Sequence, residues 1–343
     1  MSTTTQYTTR ASRPTIISVA QRAGVSKSLA SRALRGETGV SQEKRNRVLQ
    51  AAEELGYRLN SAARSLVSNE SGILGVVLND IGNAHHAQIV SGIETAARAR
   101  GLRTLITHGA RHSHELVHQT NTLMEMQVDG LIIVSSWMPH GTLRALGQEL
   151  PTVVVAHLDE PPDQVDVVAS DDVIGATAAA KHLVDLGRHR IGYLTRSMSA
   201  TSKARWHGIS DYARSVALDP ELLHFESEDV SAVLTGLEER RWDGVVTNND
   251  QTAAEVLRLA RACGVDVPTE LALVGYDNTA LTQLVYPSLT SVDQPQQEMG
   301  TRAVTLLLAR RVQRDSVPVR DYYRPQLVVR QSTEAAGDRS ALS

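Results

Sequence analysis

From Ser71 onward, short apolar runs alternate with amphipathic stretches. The runs ILGVVL (73–78), LRTLIT (102–107), GLIIVS (130–135), TVVVA (152–156), RIGYLT (190–195), GVVTN (244–248) and LALVGY (271–276) have the length and turn-rich flanks of buried strands. Between them, apolar residues at helical spacing predict helices at 86–100, 114–127, 173–187, 205–217, 250–263 and 296–311. Strands that alternate with helices predict parallel sheets, because a parallel pair needs a long crossover and a helix is the compact way to make one. The pattern occurs twice, on either side of a Pro/Asp-rich crossing at Asp159–Asp172. Two α/β lobes with a cleft between them are expected, and ligands of such sheets bind outside the carboxyl ends of the strands.

The first 66 residues have a different period. Thr15 is a good N-cap for a helix at 16–23, on which Ile16, Val19, Ala20 and Ala23 share a face. Gly24 supplies a turn that needs a residue without Cβ, and Val25 can plug the angle that follows. Ser26 caps a second helix at 27–35, with Ala30, Ala33 and Leu34 inward and Lys27, Ser28, Ser31 and Arg32 outward. Ser41 caps a third helix at 42–55, with Val48, Ala51, Ala52 and Leu55 as its apolar face, and Gly56 ends it. A compact helix-turn-helix is the arrangement in which the second helix enters the major groove of DNA. An ordinary surface bundle with a solvated basic face is the competing reading.

Charge favours the first reading. Residues 1–70 carry 11 Lys and Arg against 5 Asp and Glu, whereas residues 71–343 carry 24 against 33. The formal net charge of −3 conceals a basic head on an acidic body. A basic helical head suits phosphate, and the acidic body would be repelled by it.

The segments VAQRAGVSKSLASRALRG, VSQEKRNRVLQAAEELGYRLN and AARSL resemble the DNA-binding domain of the LacI/GalR transcriptional regulators. The resemblance continues through VDGLIIVSS, SDDVIGATAAAKHLVDLGRHRIGYL, TNNDQTAAEVLRLARACGVDVP, LALVGYDNTAL, PSLTSVDQP, MGTRAV and LVVRQST, and so covers nearly the whole chain. It implies an α/β protein: a three-helix DNA-binding domain at 14–59 behind a disordered tail at 1–13, a hinge at 60–71 in which Asn60–Leu66 matches the hinge helix, and a periplasmic-binding-protein-like body at 72–332. Lobe 1 is expected at about 72–167 and 293–318, lobe 2 at about 168–292 and 319–332, and a flexible tail at 333–343. It also implies a homodimer on a palindromic operator and a carbohydrate-like effector bound between the lobes.

By the same resemblance, Lys27, Ser28, Leu29 and Arg32 sit where the family reads base edges, with Ser26 and Asn60 near the backbone and hinge. Thr15, Ser31 and Ala63 complete the DNA-facing set. Leu66 matches a leucine that wedges into the minor groove and kinks DNA; its alternative is to pack the linker onto the body. In the body, Arg205 of KARWHGI matches the arginine that meets the effector, and Asn249 and Asp277 match ligand-bonding positions. Asp250 and Asn278 beside them are solvent-facing alternatives. Asp171 either touches ligand or caps the next helix, and Gln294 lines the hinge.

This chain departs from the family at four places. Leu59 stands where Pro is frequent, and Leu29 where a polar residue is, so Leu29 can meet a thymine methyl but not hydrogen-bond a base. The loop Asp80-Ile81-Gly82-Asn83-Ala84-His85-His86 has imidazoles in place of aromatic rings, and Ala156-His157 replaces an acidic residue with its neighbour. These changes weaken an assignment to a standard hexose and make Asp80, His85, Trp137, His157 and Trp206 candidates for ligand shape.

Other chemistry is not indicated. His108, His112, His114 and His118 could be a metal cluster but lack a completing Cys or carboxylate, so a solvated helix face is the better reading and no metal or cofactor is expected. One cysteine, Cys263, excludes an intrachain disulfide and reads as a small buried helix residue. No long apolar run or export signal is evident, so neither a membrane span nor secretion is expected, and a cytoplasmic location is. A secreted solute-binding protein would not carry the basic head. An enzyme would need a nucleophile or acid/base pair, and no such motif stands out. The tail after Thr333 has no heptad pattern, which predicts a dimer without a tetramerising coiled coil.

Overall fold

The computed structural model describes residues 14–34, 37–57, 70–226 and 229–334. The tail at 1–13, the hinge positions Asn60, Ala63 and Leu66, and the C-terminal tail from 335 lie outside the described residues. The chain divides into two compact units, Met1–Ser71 and Gly72–Ser343.

In the first unit, α1 (Ile16–Ala23), α2 (Lys27–Leu34) and α3 (Gln42–Glu54) surround a core of Val19, Ala20, Ala23, Ala30, Ala33, Val48, Ala51 and Ala52. Six of these eight are alanine and the other two are valine, so the helix axes approach closely. Thr15 accepts from the Ser18 amide while the Ser18 hydroxyl bonds back, a complete capping box. Gly24 ends α1 at φ +65°, a conformation in which a Cβ would be strained. Ser26 accepts from the Leu29 amide at 3.2 Å and so caps α2. Ser41 holds the extended backbone of a cap at α3 but makes no side-chain cap bond, unlike the sequence expectation.

The second unit contains two six-stranded sheets. The strands are β1 (Ile73–Leu78), β2 (Arg103–His108), β3 (Leu131–Val134), β4 (Thr152–Val155), β5 (Asp166–Ser170), β6 (Ile191–Thr195), β7 (Glu221–His224), β8 (Gly244–Thr247), β9 (Ala272–Asp277), β10 (Thr290–Asp293), β11 (Arg320–Tyr323) and β12 (Gln326–Val328). The first sheet runs β11-β5-β4-β3-β1-β2 and is parallel throughout; the second runs β12-β10-β9-β8-β6-β7 and is parallel except for β12. Helices α4 (Ala84–Arg98), α5 (Ser113–Glu125), α6 (His140–Glu149), α7 (Asp172–Asp185), α8 (Ala200–Ser215), α9 (Ser231–Glu238), α10 (Asp250–Ala262), α11 (Leu281–Leu284) and α12 (Gln296–Val312) join the strands. Each sheet is buried on both faces, by separate apolar clusters.

The chain passes between lobes three times: after β5, after β10 and between β11 and β12. This corrects the expected lobe limits. Residues 168–170 belong to β5 and 320–323 to β11, both in the first sheet, while Asp293 ends β10 in the second. A buried ion pair fixes β5 there, since Arg310 of α12 grips both oxygens of Asp166 at 2.6 Å. Cys263 lies just past the end of α10, partly buried, rather than within the helix.

Helices α4 and α12 touch through glycines. A Cβ on Gly300 would lie 2.1 Å from the Ile89 carbonyl oxygen, and one on Gly92 would lie 2.1 Å from that of Gln297. Both clashes are with backbone, which cannot rotate away. Gly300→Ala is therefore expected to destabilise the body by about 1–3 kcal/mol. An unchanged urea midpoint in that variant would mean the helices are not packed this closely.

Candidate effector cleft and nucleic-acid face

A cavity of about 160 Å³ lies where the carboxyl ends of the strands of both lobes converge. Lobe 1 supplies Asn79 and Asp80 after β1, His85 and His86 on α4, Trp137 after β3, His157 after β4 and Ser170 at the end of β5. Lobe 2 supplies Asp172 and Arg205 on α7 and α8, Asn248 and Asn249 after β8, and Asp277 at the end of β9. Gln294 lies on the second crossing and also lines the cavity.

Arg205 organises the floor. Its Nε donates to Asp172 Oδ1 at 2.7 Å, its Nη1 donates to the Asn248 carbonyl, and its guanidinium lies 3.5 Å from the centre of the Tyr276 ring. Burial alone would lower its pKa, but Asp172, Tyr276 and Asp277 reverse this and hold it charged. Asp277 accepts from Gln294 Nε2 at 2.7 Å, and its main-chain oxygen accepts from Gln296. Its φ is +99°, an uncommon conformation for a residue with a Cβ and one that the surroundings must enforce. Burial pushes the Asp277 carboxyl up to about 7, with Arg205 opposing and Asp172 adding to the shift.

Burial favours the neutral form of the His85 and His86 imidazoles. Burial lowers His85 to about 3, helped by the charge on Arg205, and lowers His86 to about 4. His86 Nδ1 bonds to the Asp80 carbonyl at 2.8 Å. His85 Nδ1 lies 3.5 Å from Asp277 Oδ1 without forming a hydrogen bond. Asn79 Oδ1 and Ser170 Oγ are likewise buried, with no hydrogen-bond partner among the described residues.

Of the sequence candidates, Asp80, His85, Trp137, His157, Arg205, Asn249, Asp277 and Gln294 all line this one cavity. Asp171 does not. It caps α7 by accepting from the Ile174 amide at 3.0 Å, and the next residue, Asp172, points to Arg205 instead. Trp206 stacks on Tyr193 in the lobe 2 core rather than facing ligand. Asp250 and Asn278 are not solvent-facing either. Asp250 is 1% exposed and binds Thr279 and Ser291, while Asn278 bridges Asp293 and Arg330. Sequence reading missed Asp172; the doubled acid before a helix was the available signal, because only one of two adjacent carboxylates can cap it. No group of metal ligands is present among the described residues.

These pKa shifts have a sign that can be tested. The folded pKa of Asp277 is above its unfolded value, so its favourable contribution is present at low pH and is lost as pH rises through about 7. Asp277→Asn should therefore lose less stability than the unmodified chain between roughly pH 4 and 7. Parallel melting-temperature curves for the two over that range would show that Asp277 is not so perturbed.

In the head, Lys27 and Ser28 are exposed on α2, and Leu29, Ser31 and Arg32 are partly covered. Arg32 Nη2 donates to the Thr38 carbonyl at 3.0 Å and its Nε lies 3.6 Å from Glu37, so the side chain is anchored to the loop before α3. The Thr15 and Ser26 hydroxyls accept helix-capping bonds. Lys27 and Ser28 thus project from the helix that a helix-turn-helix presents to the major groove.

Residues 15–60 match the pattern of the bacterial regulatory proteins of the lacI family, and residues 180–333 match a periplasmic binding protein-like domain. The regulator GalR of Escherichia coli K12 is 30% identical over 93% of this chain and 95% of its own length. The repressor CytR of the same organism is 30% identical over 86% of this chain and 89% of its own. Among solved structures, a Lac repressor dimer bound to operator and the anti-inducer ONPF superposes with a TM-score of 0.82 at 24% identity, covering 94% of this chain and 99% of that one. The regulator CelR in complex with cellobiose gives 0.66 at 26% identity, covering 93% and 100%.

The chain belongs to the lacI family of bacterial regulatory proteins. It is a DNA-binding transcription regulator with a helix-turn-helix head and a two-lobed ligand-binding body. No helix among the described residues is long and apolar enough to cross a membrane.

Proposed function

We propose that the chain is a repressor that binds a palindromic operator as a homodimer in the cytoplasm and responds to a small polyhydroxylated effector held in the cleft. The observation that carries this reading is the link between cleft and crossings. Asp277 faces the cavity and is bonded to Gln294 and Gln296 on the second crossing, while Arg205 is bonded to Asp172 directly after the first. A ligand that touches Arg205 or Asp277 therefore acts on segments that set the angle between the lobes, which is the element a ligand must bias to change DNA affinity. Lys27, Ser28, Leu29 and Arg32 are assigned to base edges, and Thr15, Ser26, Ser31, Asn60, Ala63 and Leu66 to the backbone and hinge. The similarity to GalR, and to CelR bound to cellobiose, supports a carbohydrate-like effector. The effector is bound and released without being turned over, a reading supported by membership of a family of regulatory proteins and by the pairing of Asp172 with Arg205 and of Asp277 with Gln294.

Selection of binding sites from random duplex DNA by the full chain is the test. A dimer with two identical heads should enrich an inverted repeat, because one head makes too few base contacts for genomic specificity. Enrichment of a single half-site, or of no sequence at all, would contradict the proposal.

A further inference from the structure

His85 and Asp277 approach each other from different lobes. His85 stands in the first turn of α4 in lobe 1, where its amide donates to the Asn83 cap at 2.9 Å. Asp277 ends β9 in lobe 2 and is held at φ +99°. The His85 Nδ1 and Asp277 Oδ1 atoms are 3.5 Å apart, the side chains are 14% and 5% exposed, and Nδ1 has no hydrogen-bond partner among the described residues. With the ring proton on Nε2, Nδ1 and an ionised carboxylate are both acceptors, and a shielded polar atom left without a partner is costly. One proton added to the carboxyl turns it into the donor that Nδ1 lacks.

The surroundings decide which acid takes that proton. Asp250 of α10 is the other buried acid here, and its charge and that of Asp277 disfavour each other. Asp250 accepts from the Ser291 hydroxyl at 2.5 Å and from the Thr279 amide and hydroxyl at 2.6 and 2.9 Å, three donors that favour its ionised form. The Asp277 carboxyl accepts from Gln294 at 2.7 Å. Arg205 of α8, 3.9 Å away, favours ionised Asp277, whereas Asp172 of α7 and burial oppose it and prevail, which puts the carboxyl at about 7. Tyr276 and Tyr193 stay uncharged, since burial raises both. On the lobe 1 side, burial keeps His85 neutral down to about 3 and His86 down to about 4. Asp80, Arg111, His157 and Arg196 line the rest of the cavity.

We propose that His85 and Asp277 are a proton-operated latch between the lobes: a carboxyl proton on Asp277 is donated to His85 Nδ1 and ties α4 to β9, and its loss to water frees them. The latch is engaged from roughly pH 4 to 7 and released above, because the folded carboxyl is protonated below about 7 while His85 remains neutral. Its effect on DNA rests on the reading of the lobe angle as the control element. Residues 1–70 contain no histidine, so no side chain of the head ordinarily titrates between about pH 6 and 8. A step in operator affinity over that range points to the body.

The test follows the His85 ring nitrogens by 15N NMR in the histidine-labelled full chain without added ligand, and operator Kd by anisotropy at constant salt, both between about pH 6 and 8. The His85 signal is assigned by its loss in His85→Leu. As pH falls through about 7, Nδ1 should shift as an unprotonated nitrogen that gains a hydrogen bond, while Nε2 keeps the ring proton. Operator Kd should change about fivefold over the same step, the scale of one shielded hydrogen bond. Asp277→Asn presents an amide donor at every pH, so its Kd should be flat at the value the unmodified chain has at the acid end. His85→Leu should be flat at the value of the alkaline end, and His85→Gln, whose amide oxygen still accepts, should keep a step. The proposal is overturned by a His85 signal that does not move, by a ring that becomes an imidazolium in this range, by an Nδ1 that carries the ring proton throughout, or by a step that persists in His85→Leu. A His85 signal that titrates while operator Kd stays flat would support the latch and remove the coupling of lobe angle to DNA instead.

Discussion

Arg205→Ala is expected to abolish the response to effector and to destabilise the body by about 3–5 kcal/mol, the usual cost of leaving one partner of a buried ion pair alone. The stranded partner is Asp172, 3% exposed, whose Oδ1 loses its 2.7 Å bond. A second substitution separates stability from recognition. Adding Asp172→Asn removes the uncompensated charge, so the double variant should recover part of the lost stability while its effector response stays absent. Urea melts give the first quantity and ligand titrations the second. If the double variant recovers nothing, Asp172 is not the group that Arg205 neutralises. Operator binding measured well below the melting temperature should survive in both, because the groove-facing residues lie in the other compact unit.

Arg32→Ala should weaken specific operator binding by about 1–3 kcal/mol and relax preference at one base pair, as expected when a guanidinium reads guanine. The anchoring bond to the Thr38 carbonyl adds a smaller effect, about 1 kcal/mol on the stability of the head. The two are separable because only the first depends on DNA sequence. Titrations at fixed salt against the operator, a single-base variant and unrelated duplex should show the largest loss on the operator. A uniform loss on all three would assign Arg32 to phosphate, where contacts carry no sequence information.

The interior of the body was legible because its strands are buried on both faces. Runs such as ILGVVL and LALVGY have no polar face to confuse the reading, and they became β1 and most of β9. Five strands escaped notice, each short or polar: β5 is DVVAS, β7 is ELLH, β11 is RDYY, β12 is QLV and β10 is TSVD. Three of these lie at sheet edges, where one side of the strand has no neighbour and the apolar signal fades. Missing β5 and β11 moved the lobe limits, since the chain's first crossing follows β5 and its second and third flank β11. Helices α6, α9 and α11 were missed for a related reason: they are ten, eight and four residues long, too short to show a sustained period.

At the cleft, the residues that resembled a family motif fell on one cavity, whereas their neighbours needed geometry. Asp171 and Asp172 are adjacent and chemically identical, yet one caps a helix and the other pairs with Arg205. Asp250 and Asp277 both have pKa values pushed up to about 7 by burial, which sequence spacing cannot indicate. Neither could it show that Asp250 is enclosed by Thr279 and Ser291, or that His85 faces Asp277 without bonding to it.

The central claim is that occupancy of the cleft sets affinity for DNA. The most direct measurement is a fluorescence-anisotropy titration of a selected inverted-repeat operator with the full chain at constant salt, with and without a carbohydrate shown by thermal shift to bind the chain. The account predicts a change in operator Kd of about tenfold or more, within the usual 1–3 kcal/mol of allosteric coupling, and no change for Arg205→Ala. An operator Kd that stays the same while that carbohydrate saturates the cleft would contradict it.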